Sequence, residues 1–423
     1  MAERGISRRE FAKAAVAIGG ASALAACMDR GEPPSIPAGG DPSSLPARQH
    51  AWNDFLSTDD HGNHRSPRHH VLLYYDYDGA ETRGGAATPT DDERETVEDA
   101  FRSLERAYEW SNEGLLFTVG YSRRYFDRFD TSPASVDLPR PEPLADFEDP
   151  EPDEPDVIVH LTSDHAEVVL EAGQALRGDR ETVNDRSMDA TLNDVLEFQE
   201  RRTGFIGDGL PAENDDVDGI PEGAVDEDAP MYMGFKSGFK GNQATEDRVT
   251  IQSGPYEGGT TQHVSKIRLH LDQWYNQDSR YQRVGKMFCP AHADEERVEG
   301  PGDNLGAASG VNACPAHDEA AREKGFVGHA QKNAAAREKG APIMLRRDFD
   351  STDDEQAGLH FLALQREIAD FVETRESMNG TDAAEADGVG TRHNNGILQY
   401  MTVLRRGNYL LPPRERRALP RPA

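Results

Sequence analysis

One tetrapeptide, present twice, contains the side chains of this sequence that are best suited to chemistry. Cys-Pro-Ala-His occupies residues 289–292 and again residues 314–317, and the only other cysteine is Cys27. Two thiolates and two imidazoles would complete a tetrahedral zinc or iron site. The predicted ligands are Cys289, His292, Cys314 and His317. The alternatives are a disulfide between the two boxes, which would contribute about 3 kcal/mol, or neither. A disulfide needs no histidine, so the repeated histidine favours the metal site.

The negative net charge of the chain argues against a nucleic-acid partner and is typical of proteins that are soluble in concentrated salt. The 423 residues include 46 basic and 77 acidic side chains, which give a formal net charge of −31. Such a surface repels nucleic-acid phosphates, so we expect no nucleic-acid partner. Only eight of the basic residues are Lys. Concentrated salt screens charges within about 3 Å at 1 M, which makes this self-repulsion tolerable, and a halophilic, salt-adapted protein is therefore predicted.

The N-terminus resembles an export signal. Ser7-Arg8-Arg9 precedes an apolar stretch over residues 14–26, as in twin-arginine signals, and the stretch ends at Cys27 in a sequence similar to a lipobox. We therefore predict a signal over residues 1–27 and an exported, extracytoplasmic lipoprotein whose acylated Cys27 anchors it to the outer face of the cell membrane. Residues 28–68 are rich in Pro, Gly, Ser and Asp, which predicts a flexible tether.

Apolar patterning predicts two modules after the tether. Strand-like runs at residues 71–75, 115–120 and 157–161 alternate with helical segments, one of which begins at a Thr90-x-x-Glu93 capping box. This order matches most of a ferredoxin-like β-α-β-β-α-β unit and predicts an N-terminal module over residues 69–228.

A similar order follows the acidic stretch at residues 213–228. Its predicted elements are strands at 249–251, 264–271, 343–346 and 359–364, and a helix at 368–378. We therefore predict an α+β chain with a second ferredoxin-like module over residues 229–423. The Cys/His boxes would lie in an insertion near residues 287–320.

Several segments in the same order resemble one enzyme family. They are Gly114–Tyr121, Met233–Gly238, Ile343–Arg347 and Ala357–Arg366. They are similar to segments of the dye-decolorising haem peroxidases, in particular the exported deferrochelatase-like branch, and the resemblance covers residues 71–413. It implies two ferredoxin-like modules with antiparallel sheets, in the arrangement of a dimeric α+β barrel, and haem b held in the C-terminal module.

The resemblance also implies a role for three residues. The family places a proximal histidine about 17 residues before a distal arginine, which implies that His329 binds the haem iron and that Arg346 lies over its opposite face. His317 is the competing ligand, but its spacing of 29 residues to Arg346 fits less well. Ser237 stands where the family has a distal acid, and a serine hydroxyl is a poor acceptor for the proton of hydrogen peroxide. Arg346 with a water, or a carboxylate from another segment, would have to substitute, unless the chemistry differs.

Three functions follow from these residues. The first is reduction of hydrogen peroxide with oxidation of an electron donor. The second is a non-enzymatic haem-binding or iron-handling lipoprotein that lacks the distal acid. The third is an extracytoplasmic metal-binding protein that uses the Cys/His boxes and leaves its haem pocket empty. The sequence leaves the electron donor and the oligomeric state open, with a homo-oligomer among the options.

Overall fold

A computed structural model describes residues 35–77, 79, 88–129 and 136–422. The predicted export signal and Cys27 lie outside the described residues. Within the described part of the chain, no helix is both long enough and apolar enough to cross a membrane.

The first half of the fold has the predicted ferredoxin-like order. Its strands are β1 His69–Tyr77, β2 Leu116–Ser122, β3 Val157–Ser163 and β4 Leu196–Phe205, and its long helices are α1 Asp91–Ala107 and α2 Ala166–Leu176. The predicted capping box is confirmed: Thr90 Oγ1 accepts from the Glu93 amide, and the Glu93 carboxylate accepts from the Thr90 amide. Both contacts satisfy amide groups that the first helical turn leaves unpaired.

The second half has the same order of major elements, with more helices after its first strand. Its strands are β5 Thr260–Leu269, β6 Phe349–Ser351, β7 Gly358–Gln365 and β8 Met401–Leu411. Its helices are α3 Leu271–Gln277, α4 Arg280–Met287, α5 Pro290–Asp294, α6 His317–Lys324, α7 His329–Asn333 and α8 Ile368–Asn379. Shorter strands and helices are Arg123–Phe126, Glu151–Pro152, Thr182–Val183, Arg186–Ser187, Leu210–Glu213, Glu246–Val249, Arg337–Glu338, Ala341–Pro342 and Leu345–Arg346.

The eight numbered strands close into one antiparallel ring. Among the described residues the main sheet has ten strands, of which the short strands Glu151–Pro152 and Leu345–Arg346 are appended to the ring. The remaining eight pair in the order β7-β6-β4-β1-β3-β2-β8-β5 and back to β7. Each half therefore has the ferredoxin-like strand order 4-1-3-2, and the predicted α+β fold of two ferredoxin-like modules is confirmed.

Alternating side chains separate the inside of the ring from its outer faces. In β1, Leu72 and Tyr74 belong to the core inside the ring, whereas Val71, Leu73 and Tyr75 belong to the core beneath α1 and α2. Successive side chains of a strand point to opposite faces, so a strand that is buried on both sides reads as a continuous apolar run. This is why residues 71–75 are uniformly apolar.

One predicted strand is wrong. Val249 is the last residue of the short helix Glu246–Val249, and residues 250–251 continue into a loop instead of entering the sheet. The Thr250 hydroxyl donates to the Glu246 carbonyl oxygen, and the Ile251 amide donates to the Gly259 carbonyl oxygen. These local bonds satisfy the backbone within a tight loop, so the apolar run needs no strand partner.

The predicted flexible tether is folded from residue 35 onward, which corrects the prediction for that part. The Gln49 side chain donates to the Val119 and Pro412 carbonyl oxygens and accepts from the Val119 amide. Trp52 is 1% exposed and belongs to the core of the first half. The Arg347 guanidinium lies 3.8 Å from the centre of its ring. Burial of the Trp52 indole and of the Gln49 amide stabilises an ordered conformation of this segment, although its composition is typical of a linker.

Replacing Trp52 with alanine tests this anchoring. We expect the free energy of unfolding to fall by about 3–5 kcal/mol, because a large buried side chain and its contact with Arg347 are lost. Urea titration at fixed salt measures the change, and Tyr281→Ala, at an exposed tyrosine, is the control, with an expected effect below about 0.5 kcal/mol. A loss below 1 kcal/mol for Trp52→Ala would show that the segment does not stabilise the fold.

Candidate functional site

A cavity of about 750 Å³ lies against the second half of the ring. Ile267 and Leu269 of β5, Phe361 of β7 and Val403 of β8 form one wall, and α7 and α8 contribute to the others. Six phenylalanines line it: Phe147, Phe235, Phe239, Phe288, Phe361 and Phe371. Pockets for cofactors and small ligands typically measure about 300–1,000 Å³ and are lined mainly by apolar groups. The cavity is therefore large and apolar enough for an organic cofactor.

His329 is the first residue of α7 and lines this cavity. Neither of its ring nitrogens makes a hydrogen bond to the described part of the chain. Burial first, and then the positive charges of Arg346 and Lys332, lower the pKa of His329 to about 3. The imidazole is therefore neutral at pH 7 and keeps a free lone pair, which is the form that binds a metal ion.

Close backbone packing holds the start of α7 in place. A Cβ at Gly328 would lie 1.9 Å from the Phe288 carbonyl oxygen, so no larger residue fits at that position. The same oxygen accepts from the Gln331 amide. The buried Lys332 ammonium donates to the Met378 carbonyl oxygen and to both oxygens of Asn395. These contacts fix the helix, and with it the backbone of His329.

A second group of cavity residues lies on the extended segment that leads into β6. Arg346, Asp348 and Asp350 line the cavity, whereas Phe349 packs in the core inside the ring and Arg347 lies over Trp52. Residues two apart in an extended chain share a face, which explains the alternation. The Arg346 backbone is held by the Gln243 side-chain amide at both its amide and its carbonyl oxygen. Among the described residues, no carboxylate forms an ion pair with its guanidinium.

Asp348 supplies a carboxylate beside Ser237, the residue that stands where the resemblance implies a distal acid. Ser237 Oγ lies 3.4 Å from Asp348 Oδ2 and is the donor of that hydrogen bond. The structure therefore brings together Ser237, Arg346 and a carboxylate from another segment, which was one of the two substitutions that the sequence left open. The carboxylate and the guanidinium are the two kinds of group that proton transfer and charge stabilisation require.

Asp350 is the deeper of the two carboxyls. It is 1% exposed, and burial followed by the charge of Asp348 raises its pKa well above 3.8. Its Oδ2 accepts from the Tyr232 amide at 2.6 Å. At neutral pH one carboxyl of the pair is thus shifted towards its protonated form, as expected for two acids that share a desolvated site.

A second, more polar cavity of about 540 Å³ adjoins the first. Ser237, Arg346 and Asp348 line both cavities. The second cavity is also lined by the folded N-terminal segment, including Trp52 and the stretch from 59 to 68. The candidate catalytic groups therefore stand between an apolar chamber that contains His329 and a polar chamber walled by the N-terminal segment.

The two Cys/His boxes do not form the predicted four-ligand site. Cys289 and Cys314 are joined in a disulfide, with their Cα atoms 6.5 Å apart. His292 lies beside the sulfur atoms, but His317 Nε2 is 2.7 Å from Asp382 Oδ2, on the surface. His317 is the first residue of α6, and its ring is turned towards Asp382 instead of towards the sulfurs. Of the three sequence alternatives, the structure contains the disulfide.

Two site residues were missed in the sequence, although a signal for them exists. In the segment Arg346-Arg347-Asp348-Phe349-Asp350, charged side chains occupy positions 346, 348 and 350, although Arg347 between them is also charged. This spacing of two places Arg346, Asp348 and Asp350 on one face if the segment is extended. Within this segment, the family resemblance implies a role for Arg346 alone.

Comparison with known proteins places the chain in a family. A family of unknown function, DUF7405, matches residues 67–413, which is most of the chain. The chain belongs to this family. No curated protein matches it.

Solved structures show the fold. The dye-decolorizing protein from V. cholerae is 13% identical with a TM-score of 0.55, over 86% of this chain and 98% of that one. DtpA from Streptomyces lividans is 18% identical with a TM-score of 0.55, over 85% and 93%. DyPB from Rhodococcus jostii RHA1 is 15% identical with a TM-score of 0.52, over 83% and 94%. This DUF7405 chain therefore has the fold of the dye-decolorising peroxidases, at sequence identities that establish the fold alone.

Proposed function

We propose that this protein binds haem b in the 750 Å³ cavity through His329 and reduces hydrogen peroxide at the expense of an electron donor. One observation carries the proposal: a neutral imidazole without a hydrogen-bond partner in the described chain faces the same apolar cavity as an unpaired guanidinium and a carboxylate. A solved variant of DypB from R. jostii, 16% identical over 83% of this chain with a TM-score of 0.51, is in complex with heme.

The residues present fit the group. His329 supplies the nitrogen ligand that haem iron accepts, and the six phenylalanines supply apolar walls for the porphyrin. Arg337 lines the cavity, and the described residues place no carboxylate in an ion pair with it, so it is a cation available to a haem carboxylate. When bound, haem would supply the redox-active iron. The remaining roles belong to side chains of this chain.

Asp348 and Arg346 have complementary roles in the proposed reaction. Asp348 accepts a proton from one oxygen of hydrogen peroxide and returns it to the other, which departs as water. Arg346, a permanent cation, stabilises the negative charge that develops as the O–O bond breaks. Ser237 donates to Asp348 and orients its carboxylate. Two electrons from the donor and two protons complete the conversion of hydrogen peroxide to two molecules of water. The polar second cavity provides a route for a small polar oxidant to these groups.

Arg346→Leu tests this function. In haem-loaded protein we expect peroxide-dependent oxidation of a dye to fall about 10²- to 10³-fold, the cost of removing one charge-stabilising group, with the haem absorbance retained. Arg268→Leu, on the exposed side of β5, is the control and should leave the rate unchanged. A full rate in Arg346→Leu would remove Arg346 from the mechanism.

A second candidate function is haem binding or iron handling without turnover. It is favoured by the surroundings of His329: no carboxylate in the described chain accepts a hydrogen bond from its ring, and the charges acting on it are cationic. A ligand histidine gains basicity from a carboxylate partner, which is missing here. Wild-type protein that retains haem and shows no peroxide-dependent dye oxidation would establish this function instead.

We further propose that the mature protein begins at an acylated Cys27 and is held at the outer face of the cell membrane. The support is the sequence of residues 7–27, and the acidic composition suits a salt-rich exterior. Mass spectrometry of protein from the membrane fraction of its host should find a lipid-modified Cys27 as the first residue. An intact N-terminus in soluble protein would refute the anchor. Cys27→Ser, which cannot be acylated, should release the protein from the membrane fraction.

A further inference from the structure

The disulfide Cys289–Cys314 has a histidine directed at it. His292 is 1% exposed, and its Nδ1 lies 3.1 Å from Cys289 Sγ and 3.5 Å from Cys314 Sγ. These three ligand atoms lie within 4.8 Å of one another. None of the three residues lines the haem cavity, so the cluster is separate from the candidate active site.

The other ring nitrogen of His292 defines its tautomer. Nε2 lies 2.7 Å from the Ser309 carbonyl oxygen. A carbonyl oxygen can only accept, so Nε2 carries the proton and donates it. Nδ1 therefore presents a lone pair to the two sulfur atoms. A disulfide has no proton to give, and the lone pair of a buried nitrogen is left without a donor. A carbonyl on the far nitrogen of a histidine is also the arrangement that orients histidine ligands in metal sites.

We propose that reduction of Cys289–Cys314 opens a second metal site, in which the two sulfurs and Nδ1 of His292 bind a divalent ion of the zinc class. Two ligands of a tetrahedral zinc ion lie about 3.6 Å apart when one is nitrogen and the other sulfur. The distance from Nδ1 to Cys314 Sγ, 3.5 Å, is close to that value, and the distance to Cys289 Sγ, 3.1 Å, is shorter than it. Two thiolates also neutralise a divalent cation, which suits a buried position.

The chemical steps balance with a dithiol as reductant. The dithiol gives up two electrons and two protons and becomes a disulfide. The S–S bond of Cys289–Cys314 breaks, and each sulfur takes up one proton. Zinc then displaces both thiol protons to water and accepts the lone pair of Nδ1. The three protein ligands leave a fourth position for water, because His317 is engaged with Asp382.

Zinc binding to the full chain tests the site independently of haem. Protein as purified and protein reduced with a phosphine, which takes up the oxygen of water as it is oxidised, are each incubated with Zn²⁺ and freed of excess metal. We expect the reduced protein to retain one more zinc per chain than the oxidised protein. Equal zinc in the two samples overturns the proposal. Absence of haem binding would refute the proposed function and leave this result unaffected.

Two variants separate the three-ligand site from the four-ligand site. In reduced protein, His292→Ala should weaken zinc binding at least tenfold, since loss of even an outer hydrogen-bond partner costs about 10- to 100-fold. His317→Ala is the matched control and should bind zinc like the wild type. Equal losses in both variants would overturn the assignment. Co²⁺ added to the reduced wild type gives a reading that does not depend on the folding of a variant: thiolate-to-cobalt absorption is expected, and its absence overturns the proposal.

Discussion

His329→Ala is expected to abolish specific haem binding. Among the described residues that line the cavity, His329 is the only histidine. The variant therefore loses the axial bond to iron, and haem affinity should fall more than 100-fold, beyond the 10- to 100-fold that loss of an outer hydrogen-bond partner causes. Absorption spectra of protein titrated with haem measure the change as loss of the Soret band.

Two controls make this result specific. His317→Ala changes the competing sequence candidate, which the structure pairs with Asp382 on the surface, and should bind haem like the wild type. Free imidazole should restore the Soret band to His329→Gly, because the deleted ring leaves room for it beside the cavity. An unchanged spectrum in His329→Ala would assign the iron ligand elsewhere and remove the basis of the proposed function.

Asp348→Asn is expected to stop peroxide turnover while haem stays bound. The change keeps the shape of the side chain and removes its ability to accept a proton, so the rate of dye oxidation should fall about 10²- to 10⁴-fold. Asp354→Asn is the matched control: Asp354 also lines the cavity, but its carboxylate is paired with Lys266. Initial rates with saturating hydrogen peroxide, normalised to bound haem, give the comparison.

A double variant tests whether a carboxylate at position 237 can replace the one at position 348 as the proton acceptor. Ser237 Oγ lies 3.4 Å from Asp348 Oδ2, so a carboxylate at either position reaches nearly the same space. Ser237→Asp combined with Asp348→Asn should recover part of the rate lost in Asp348→Asn alone. No recovery, together with a full rate in Asp348→Asn, would show that neither position provides the proton acceptor.

Local patterns predicted most of the fold because each depends on neighbours in the chain. The apolar run at residues 71–75 predicted β1, and the Thr90–Glu93 pair predicted the start of α1. The strand predicted at residues 249–251 was wrong because three apolar or β-branched residues suit a buried loop as well as a strand. The flexible tether predicted over residues 35–68 was wrong because the composition there is that of a linker. The contacts that order the segment are made with distant residues such as Glu246 and Pro412.

The sequence by itself determined most of the strand–helix order of the first half, the acidic composition and the residue types available for a site. It also contained the spacing that marks His329 and Arg346 through a family resemblance. Tertiary structure decided that Asp348 stands beside Ser237, that Cys289 is bonded to Cys314, and that His317 takes no part in that cluster. The physical reason is distance along the chain: 111 positions separate Ser237 from Asp348, and only closure of the eight-strand ring brings such segments into contact.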